Sequence, residues 1–422
     1  MKRINLLIII FVLLISFLVK AEEVTLTLEE AVAIALRDNR DVLLQAQEVE
    51  KVKEKLKEAY APLYPSVNFS GGLSYWRGYY PDTERQIHTQ TSMRQTIFQG
   101  GAIINTIKLS GYNIEIAKAR LDSAKLNTAL AVRKAFYTAL LAGEFCKLNK
   151  SILDNTKEHL IFIKERYQKG QASESDIISL EASLKSVEEI YTSSINDLES
   201  SCALLANLLY LKDDVVVKPQ GEFSYNGLEM AYDEAFLKAM SQRPEIREYE
   251  AQEKAARKSV AIAKAGNRPI IYASWDYYTA SHQASIMGLK KNWSDYNILG
   301  ITLSWPIFDG FATKHKVEEA IIGQKQTQLI KEKAIKDIVL ELKEAYLALK
   351  SAIAKINSAE ADIRMYQDQK ASIEKKYREG VASHLDYQDA ELSYEISIFN
   401  KKQAIYDYLI AKSNFEKATG GW

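Results

Sequence analysis

The sequence predicts an α+β membrane protein made of two internal structural repeats. In it, long antiparallel α-helical coiled-coil hairpins extend from four β-strands that enter a membrane. Three observations carry this. A helical turn occurs twice in the chain, two long stretches lack proline altogether, and two of four short extended segments alternate between apolar and small polar residues.

The turn is clearest at Tyr377 to Asp389, which reads YREGVASHLDYQD. Gly380 supplies the positive φ that ends a helix cheaply, and Ser383 is a good N-cap for the next. Asp386 falls in the following first turn, where a negative charge suits the helix dipole. These features predict the tip of a helical hairpin. Tyr167 to Asp176, YQKGQASESD, places Tyr, Gly, Ala, Ser and Asp identically 210 positions earlier. At that offset Ile97-Phe98 faces Ile307-Phe308, Gly100 faces Gly310, and Glu181 faces Glu391. Upstream the offset is 204, with Ala31 facing Ala235 and Pro65 facing Pro269. The change falls between Pro65 and Ile97, so that segment is expected to hold a surface loop. A register kept over so many positions marks a duplication. Residues 22–218 form one repeat and 219–422 the other, each running helix, β-hairpin, long helical hairpin.

Lys+Arg and Asp+Glu both number 55, so no bulk charge points to nucleic acid. The N-terminus has Lys2 and Arg3, an apolar run from Leu6 to Val19, then Val19-Lys20-Ala21. This is the pattern of a secretory signal over residues 1–21, cleaved after Ala21; the alternative is an uncleaved anchor. No cysteine follows the run, so N-terminal lipidation is not indicated. Cys146 and Cys202 are the only cysteines. They lie on opposite arms of the first hairpin, about 8 Å out of level at 1.5 Å per residue, which predicts packed free thiols rather than a bridge.

Leu28 to Tyr60 has helical periodicity and ends at Pro62 and Pro65. From Val67 the period becomes two: Val67, Phe69, Gly71, Leu73 and Tyr75 on one face, Ser66, Asn68, Ser70, Gly72 and Ser74 on the other. That is a strand with one greasy and one wet face, of a length that suits a tilted membrane strand. A weaker extended segment follows to Phe98. The second half repeats the pair at Ile270–Tyr278 and Tyr296–Ile307. Aromatic residues crowd the strand ends: Tyr64, Trp76, Tyr79 and Tyr80, then Tyr277, Tyr278, Trp293 and Trp305. Such girdles mark membrane interfaces.

All seven prolines lie outside 100–218 and 310–422, so Gly310 to Arg378 can form one helix about 100 Å long. From Ile335 through Leu342, Leu349, Ile356 and Ile363 to Tyr377 its three-four spacing is sustained, as on the return arm from Tyr387 through Ala404 and Tyr408 to Phe415. These are coiled-coil seams. Between the halves, Val215-Val216-Val217 is either a linker or a small edge strand.

Four strands cannot close a barrel, and lipid tolerates no open sheet edge, so several copies must pool their strands. With that, the chain resembles the TolC-type outer-membrane efflux proteins over essentially all its mature length. The residues carrying the resemblance are Leu28-Glu29-Glu30-Ala31, Pro65, Ile97-Phe98-Gln99-Gly100, Pro306-Ile307-Phe308-Asp309-Gly310 and, most specific, the two Tyr-x-x-Gly-x-x-Ser-x-x-Asp tips. The resemblance implies a homotrimer with a shared 12-stranded β-barrel in the outer membrane and an α-helical tunnel (α-barrel) across the periplasm. It also implies a periplasmic adaptor and an inner-membrane transporter as partners. The tunnel would close at the tips, with Asp386, Asp389 and Asp176 as acidic constriction residues and Tyr377 holding the closed state. A ring of such acids would favour cations and raise its own pKa values. Where some relatives carry a gating arginine this chain has Ala382, leaving Arg378 or His384 as substitutes. Gly170, Ser173, Gly380 and Ser383 mark the expected adaptor-docking turns.

The expected function is a passive exit duct for small molecules in a tripartite efflux system. The outer-membrane exit of a type I protein secretion system is the alternative within that class, and a periplasmic coiled-coil scaffold is the alternative outside it. The five histidines are scattered, with no metal-ligand spacing, nucleophile elbow or phosphate loop, so neither an enzyme nor a cofactor is expected.

Overall fold

The computed structural model describes residues 22–76, 84–212, 215–227, 230–282 and 293–421. The expected signal segment and Tyr79 and Tyr80 of the aromatic girdle lie outside these. The element order is β1 (Glu22–Leu26), α1 (Leu28–Asp38), α2 (Arg40–Tyr60), β2 (Ser66–Trp76), β3 (Glu84–Gln99), α3 (Ala102–Gln168) and α4 (Glu174–Leu208). It continues with β4 (Val215–Pro219), α5 (Tyr232–Gln242), α6 (Pro244–Lys264), β5 (Ile270–His282), β6 (Trp293–Ser304), α7 (Ala312–Arg378) and α8 (His384–Ala418). Helices α3 and α7 both have 67 residues, and α4 and α8 both have 35. Short 3-10 turns, Ala61–Leu63 and Ala265–Asn267, lead into β2 and β5.

One helix was expected over Leu28–Tyr60; there are two. Asn39 takes an extended conformation, φ −63° and ψ 130°. Its Nδ2 donates to the Leu208 carbonyl at 3.1 Å, while its Oδ1 accepts from the Asp41 N–H at 2.9 Å and so caps α2. In the second half the break falls at Arg243, where Pro244 forces its predecessor out of the helical region.

The chain forms two compact units, each drawing on both halves of the sequence. The first comprises the described residues of Met1–Leu44, Asp122–Arg243 and Asp337–Trp422. It has two cores of like construction. In one, Val132 and Phe136 of α3 meet Leu205 of α4, Leu209, and Ala31 and Ala35 of α1. In the other, Leu342, Leu349 and Ile356 of α7 meet Tyr408 and Phe415 of α8 and Ala235 and Ala239 of α5. The predicted seam residues Ile338, Leu342, Ala345, Leu349, Ala352, Ile356 and Ala359 are all buried. A fully buried leucine such as Leu342 contributes about 2 kcal/mol. The many alanines let the helices approach closely. The segment the sequence left open is a strand: β4 pairs in parallel with β1, Val24 opposite Val217, a partner the sequence did not reveal. Cys146 and Cys202 are free and partly buried.

The second unit, Gln45–Leu121 with Pro244–Lys336, holds an antiparallel sheet in the order β2-β3-β5-β6. Val67 faces Met93, Met93 faces Trp275, and Trp275 faces Leu299, so the greasy residues of all four strands share one face. They stay outside any core: Phe69 is 73% exposed and Leu299 78%. The other face is small and polar, with Gln90 Nε2 donating to Asp276 at 3.0 Å and to the Tyr278 hydroxyl at 2.9 Å. A bulge between Thr96 and Phe98 leaves Ile97 without a cross-strand mate. The sequence carried the last strand to Ile307, but β6 ends at Ser304. Pro306 has no N–H for a ladder, and the Trp305 indole donates to the Asn267 carbonyl at 3.1 Å.

Candidate functional site

The two tips are built alike. At the second, the Gly380 N–H donates to the Tyr377 carbonyl at 3.0 Å and the Val381 N–H to Lys376 at 2.8 Å, with φ of Gly380 at 75°. At the first, the Gly170 N–H donates to Tyr167 at 2.9 Å and the Gln171 N–H to Arg166 at 2.9 Å, with φ 71°. Each is a left-handed helix stop that satisfies the last carbonyls. Ser173 and Ser383 then cap α4 and α8.

Two of the three expected constriction acids, Asp386 and Asp176, belong to capping boxes. Asp386 Oδ2 accepts from the Ser383 hydroxyl at 2.7 Å and from the Ser383 N–H at 2.8 Å, while the Asp386 N–H donates to Ser383 Oγ at 3.1 Å. Asp176 and Ser173 make the same box at 2.8, 2.9 and 3.2 Å. Hydrogen bonds from the Ser383 side chain and backbone hold the Asp386 carboxyl below its ordinary value, and the Ser173 backbone and side chain do the same to Asp176. Within one chain the direction is therefore opposite to the upward shift a ring of acids would impose. Asp389 is exposed and uses only its carbonyl, which accepts from Ser393 Oγ at 2.8 Å.

The second tip also carries an aromatic group. Tyr377 stacks on Tyr387 with ring centroids 5.6 Å apart and planes 15° apart, and His384 lies 5.6 Å from Tyr377 and 6.2 Å from Phe162 of α3. The first tip has Ile177 where the second has Tyr387. Of the two substitutes for the missing gating arginine, Arg378 is paired with Glu374 on its own helix, whereas His384 reaches across to the first hairpin.

Sequence reasoning missed the seam joining the two hairpins, where α3 meets α8. Gln388, only 5% exposed, donates from Nε2 to Glu158 at 2.7 Å, and Asn155 Nδ2 donates to the Gln388 carbonyl at 3.4 Å. Farther from the tip Ser151 Oγ donates to Glu395 at 2.6 Å, and Lys402 pairs with Glu144. The buried atoms Asn149 Nδ2, Asn155 Oδ1, His159 Nε2, His384 Nδ1 and Gln388 Oε1 have no partner, and all five lie on these two stretches. The signal was present: Glu144, Ser151, Asn155, Glu158 and Phe162 recur at helical spacing, as do Gln388, Glu395, Phe399 and Lys402.

A family profile described as "Outer membrane efflux protein" matches residues 31–205 and 237–421. The probable outer membrane lipoprotein SilC of Salmonella typhimurium is 22% identical over 402 residues, 92% of this chain and 84% of that protein. The cation efflux system protein CusC of Escherichia coli K12 is 23% identical over 385 residues, 90% and 82% respectively. The crystal structure of the Campylobacter jejuni CmeC outer membrane channel superposes with a TM-score of 0.79 at 19% identity, covering 93% of this chain and 85% of that one.

Proposed function

This chain belongs to the outer membrane efflux protein family, and from that premise we propose that three copies join their sheets into one 12-stranded barrel. It is an outer-membrane efflux channel that extends into the periplasm. The observation that carries the assembly is the sheet order. Strands β2 and β6 are edges with unpaired backbone groups, and the face they bound is too greasy for water. Lipid tolerates such a sheet only if it closes, and closure here requires β6 of one copy to pair with β2 of the next.

The paired hairpins then form the periplasmic tube, and the tips are its gate. Asp389, exposed and in no cap, is the acid best placed to meet a permeating cation. Asp386 and Asp176 add charge while holding their helices, and Tyr377 braces the closed turn through Tyr387. The turns at Gly170–Ser173 and Gly380–Ser383 are the docking surface for a periplasmic adaptor linked to an inner-membrane transporter. The channel is passive, and its cargo is small molecules.

Planar-bilayer recording tests this. The purified protein should conduct, and Asp386→Ala with Asp389→Ala should weaken block by multivalent cations; unchanged block removes these acids from the gate. A mature protein that remained monomeric and dissolved without detergent would refute the shared barrel. Crosslinking that found the adaptor only beside the barrel would refute tip docking.

A further inference from the structure

The polar face of the four-stranded sheet carries little charge. On its rungs from Ser66 to Gly72, His88 aside, the charged side chains are Arg94, opposite Ser66 and Ser274, and Asp276, opposite Ser92. Asp276 already accepts from Gln90 Nε2 at 3.0 Å. Arg94 is exposed, and among the described residues its guanidinium has no carboxylate or carbonyl partner. What it has is an aromatic ring: Arg94 Cζ lies 3.9 Å from the centre of the Tyr272 ring. Tyr272 stands two residues before Ser274 on β5 and Asp276 two residues after it, so the stack draws the cation away from that acid. A guanidinium has five N–H donors and no acceptor. The arrangement therefore keeps a positioned cation with open donors on a face otherwise poor in charge.

We infer that Arg94 is a specificity-determining residue of the barrel, where three copies form a cationic ring that favours small molecules bearing a carboxylate. This rests on the shared-barrel reading above, which turns the polar face towards the lumen. The ring has one arginine per copy, because the 210-position shift maps Arg94 to Ser304 and the second repeat adds no cation. Closure does not neutralise it either. Strand β6, which would meet the neighbour's β2, presents no acid on this face between Ser294 and Ser304. Twelve strands spaced about 4.8 Å apart and tilted by about 40° enclose a radius of about 12 Å. That is close to the Debye length of about 10 Å at 0.1 M salt, so the ring is felt across the whole lumen. Charge alone would favour any anion. The guanidinium fork adds a preference for carboxylate, whose two oxygens match it, over a spherical halide.

Reversal potentials of the purified full-length protein in planar bilayers test this, under a potassium chloride gradient and then with acetate replacing chloride on one side. Arg94→Gln should raise the potassium-to-chloride permeability ratio about two- to fivefold, the size expected of unit charges about 10 Å from the permeating ion in water. Arg94→Lys keeps the charge and should leave that ratio near the native one. The acetate-to-chloride ratio of the native channel should exceed the ratio of the free ions' mobilities. It should fall to that value in both variants, because both lose the fork. If Arg94→Gln conducts with both ratios unchanged, the ring is refuted and the barrel stands. If Arg94→Lys keeps the native acetate preference, recognition of carboxylate by the guanidinium is refuted. If neither the native protein nor Arg94→Lys conducts, the shared-barrel reading itself fails.

Discussion

Removing the Glu158 carboxylate tests whether the seam of α3 with α8 holds the proposed gate. Glu158 is exposed, so Glu158→Ala costs little packing, but it takes the acceptor away from Gln388 Nε2, which lies 2.7 Å from it. The Gln388 amide is 5% exposed and its Oε1 already lacks a partner, so its Nε2 would be stranded as well. A buried donor left unsatisfied costs about 1–3 kcal/mol, and the exposure of Glu158 favours the lower part of that range. Such a shift multiplies the opening equilibrium about five- to 150-fold. Glu158→Gln keeps an acceptor and loses only the charge assistance, so its effect should be about half as large in free energy. Asp154→Ala, exposed on the same helix, is the control. Opening frequency in planar bilayers should rank Glu158→Ala above Glu158→Gln above Asp154→Ala. Equal frequencies in all three would mean that the seam does not hold the gate, whatever its geometry.

Three further outcomes follow from side chains outside the membrane strands. Asp176 and Asp386 have depressed values in the folded chain, so their stabilisation of the tips is complete above the ordinary aspartate range near 3.8 and is lost as pH falls through the lowered folded values. Amide-exchange protection at Ser173 and Ser383, whose N–H groups donate to these carboxylates, should therefore hold at pH 5; loss beginning above pH 5 would contradict the cap. Tyr408→Phe strands the Asn226 carbonyl, which now accepts the Tyr408 hydroxyl at 2.5 Å, and should lower unfolding stability by about 1–2 kcal/mol. An unchanged denaturant midpoint would show the bond to be dispensable. Burial raises the Cys202 thiol above its ordinary value, so maleimide should label it more slowly at pH 8 than a small free thiol, and equal rates would refute the packing.

The hairpins were legible because every rule that makes them is local. Gly380 ends one helix, Ser383 begins the next, and no proline interrupts either arm. The strands were legible from their period, although Pro306 shortened the last of them. What escaped the sequence depends on distant partners. The break at Asn39 needs the Leu208 carbonyl, 169 positions away, and β1 exists because Val215–Pro219 lies beside it. The seam of α3 with α8 escaped for a different reason. Glu144, Ser151, Asn155 and Glu158 recur at helical spacing, which marks a helix face without naming what covers it. The tip acids were legible as residues but not as roles, since a cap and a gate place aspartate at the same position.

The two tips show how a duplicated element acquires unequal duties. Backbone and caps are the same, so both turns cost the same to form and either can present a glycine-ended loop to a partner. Side chains have diverged where the backbone places no demand: His384 stands against Glu174, Tyr387 against Ile177, Gln388 against Ile178, and Asp389 against Ser179. His384, Tyr387 and Gln388 give the second tip aromatic or polar contacts that the first lacks, Asp389 adds an exposed charge, and only the second braces its tyrosine against a neighbouring ring. Exchanging the four residues between the tips should leave both helices capped while moving cation block and closed-state bracing to the first hairpin. If block stayed with the second tip, its acids would act through position in the ring rather than through the identity of their surroundings.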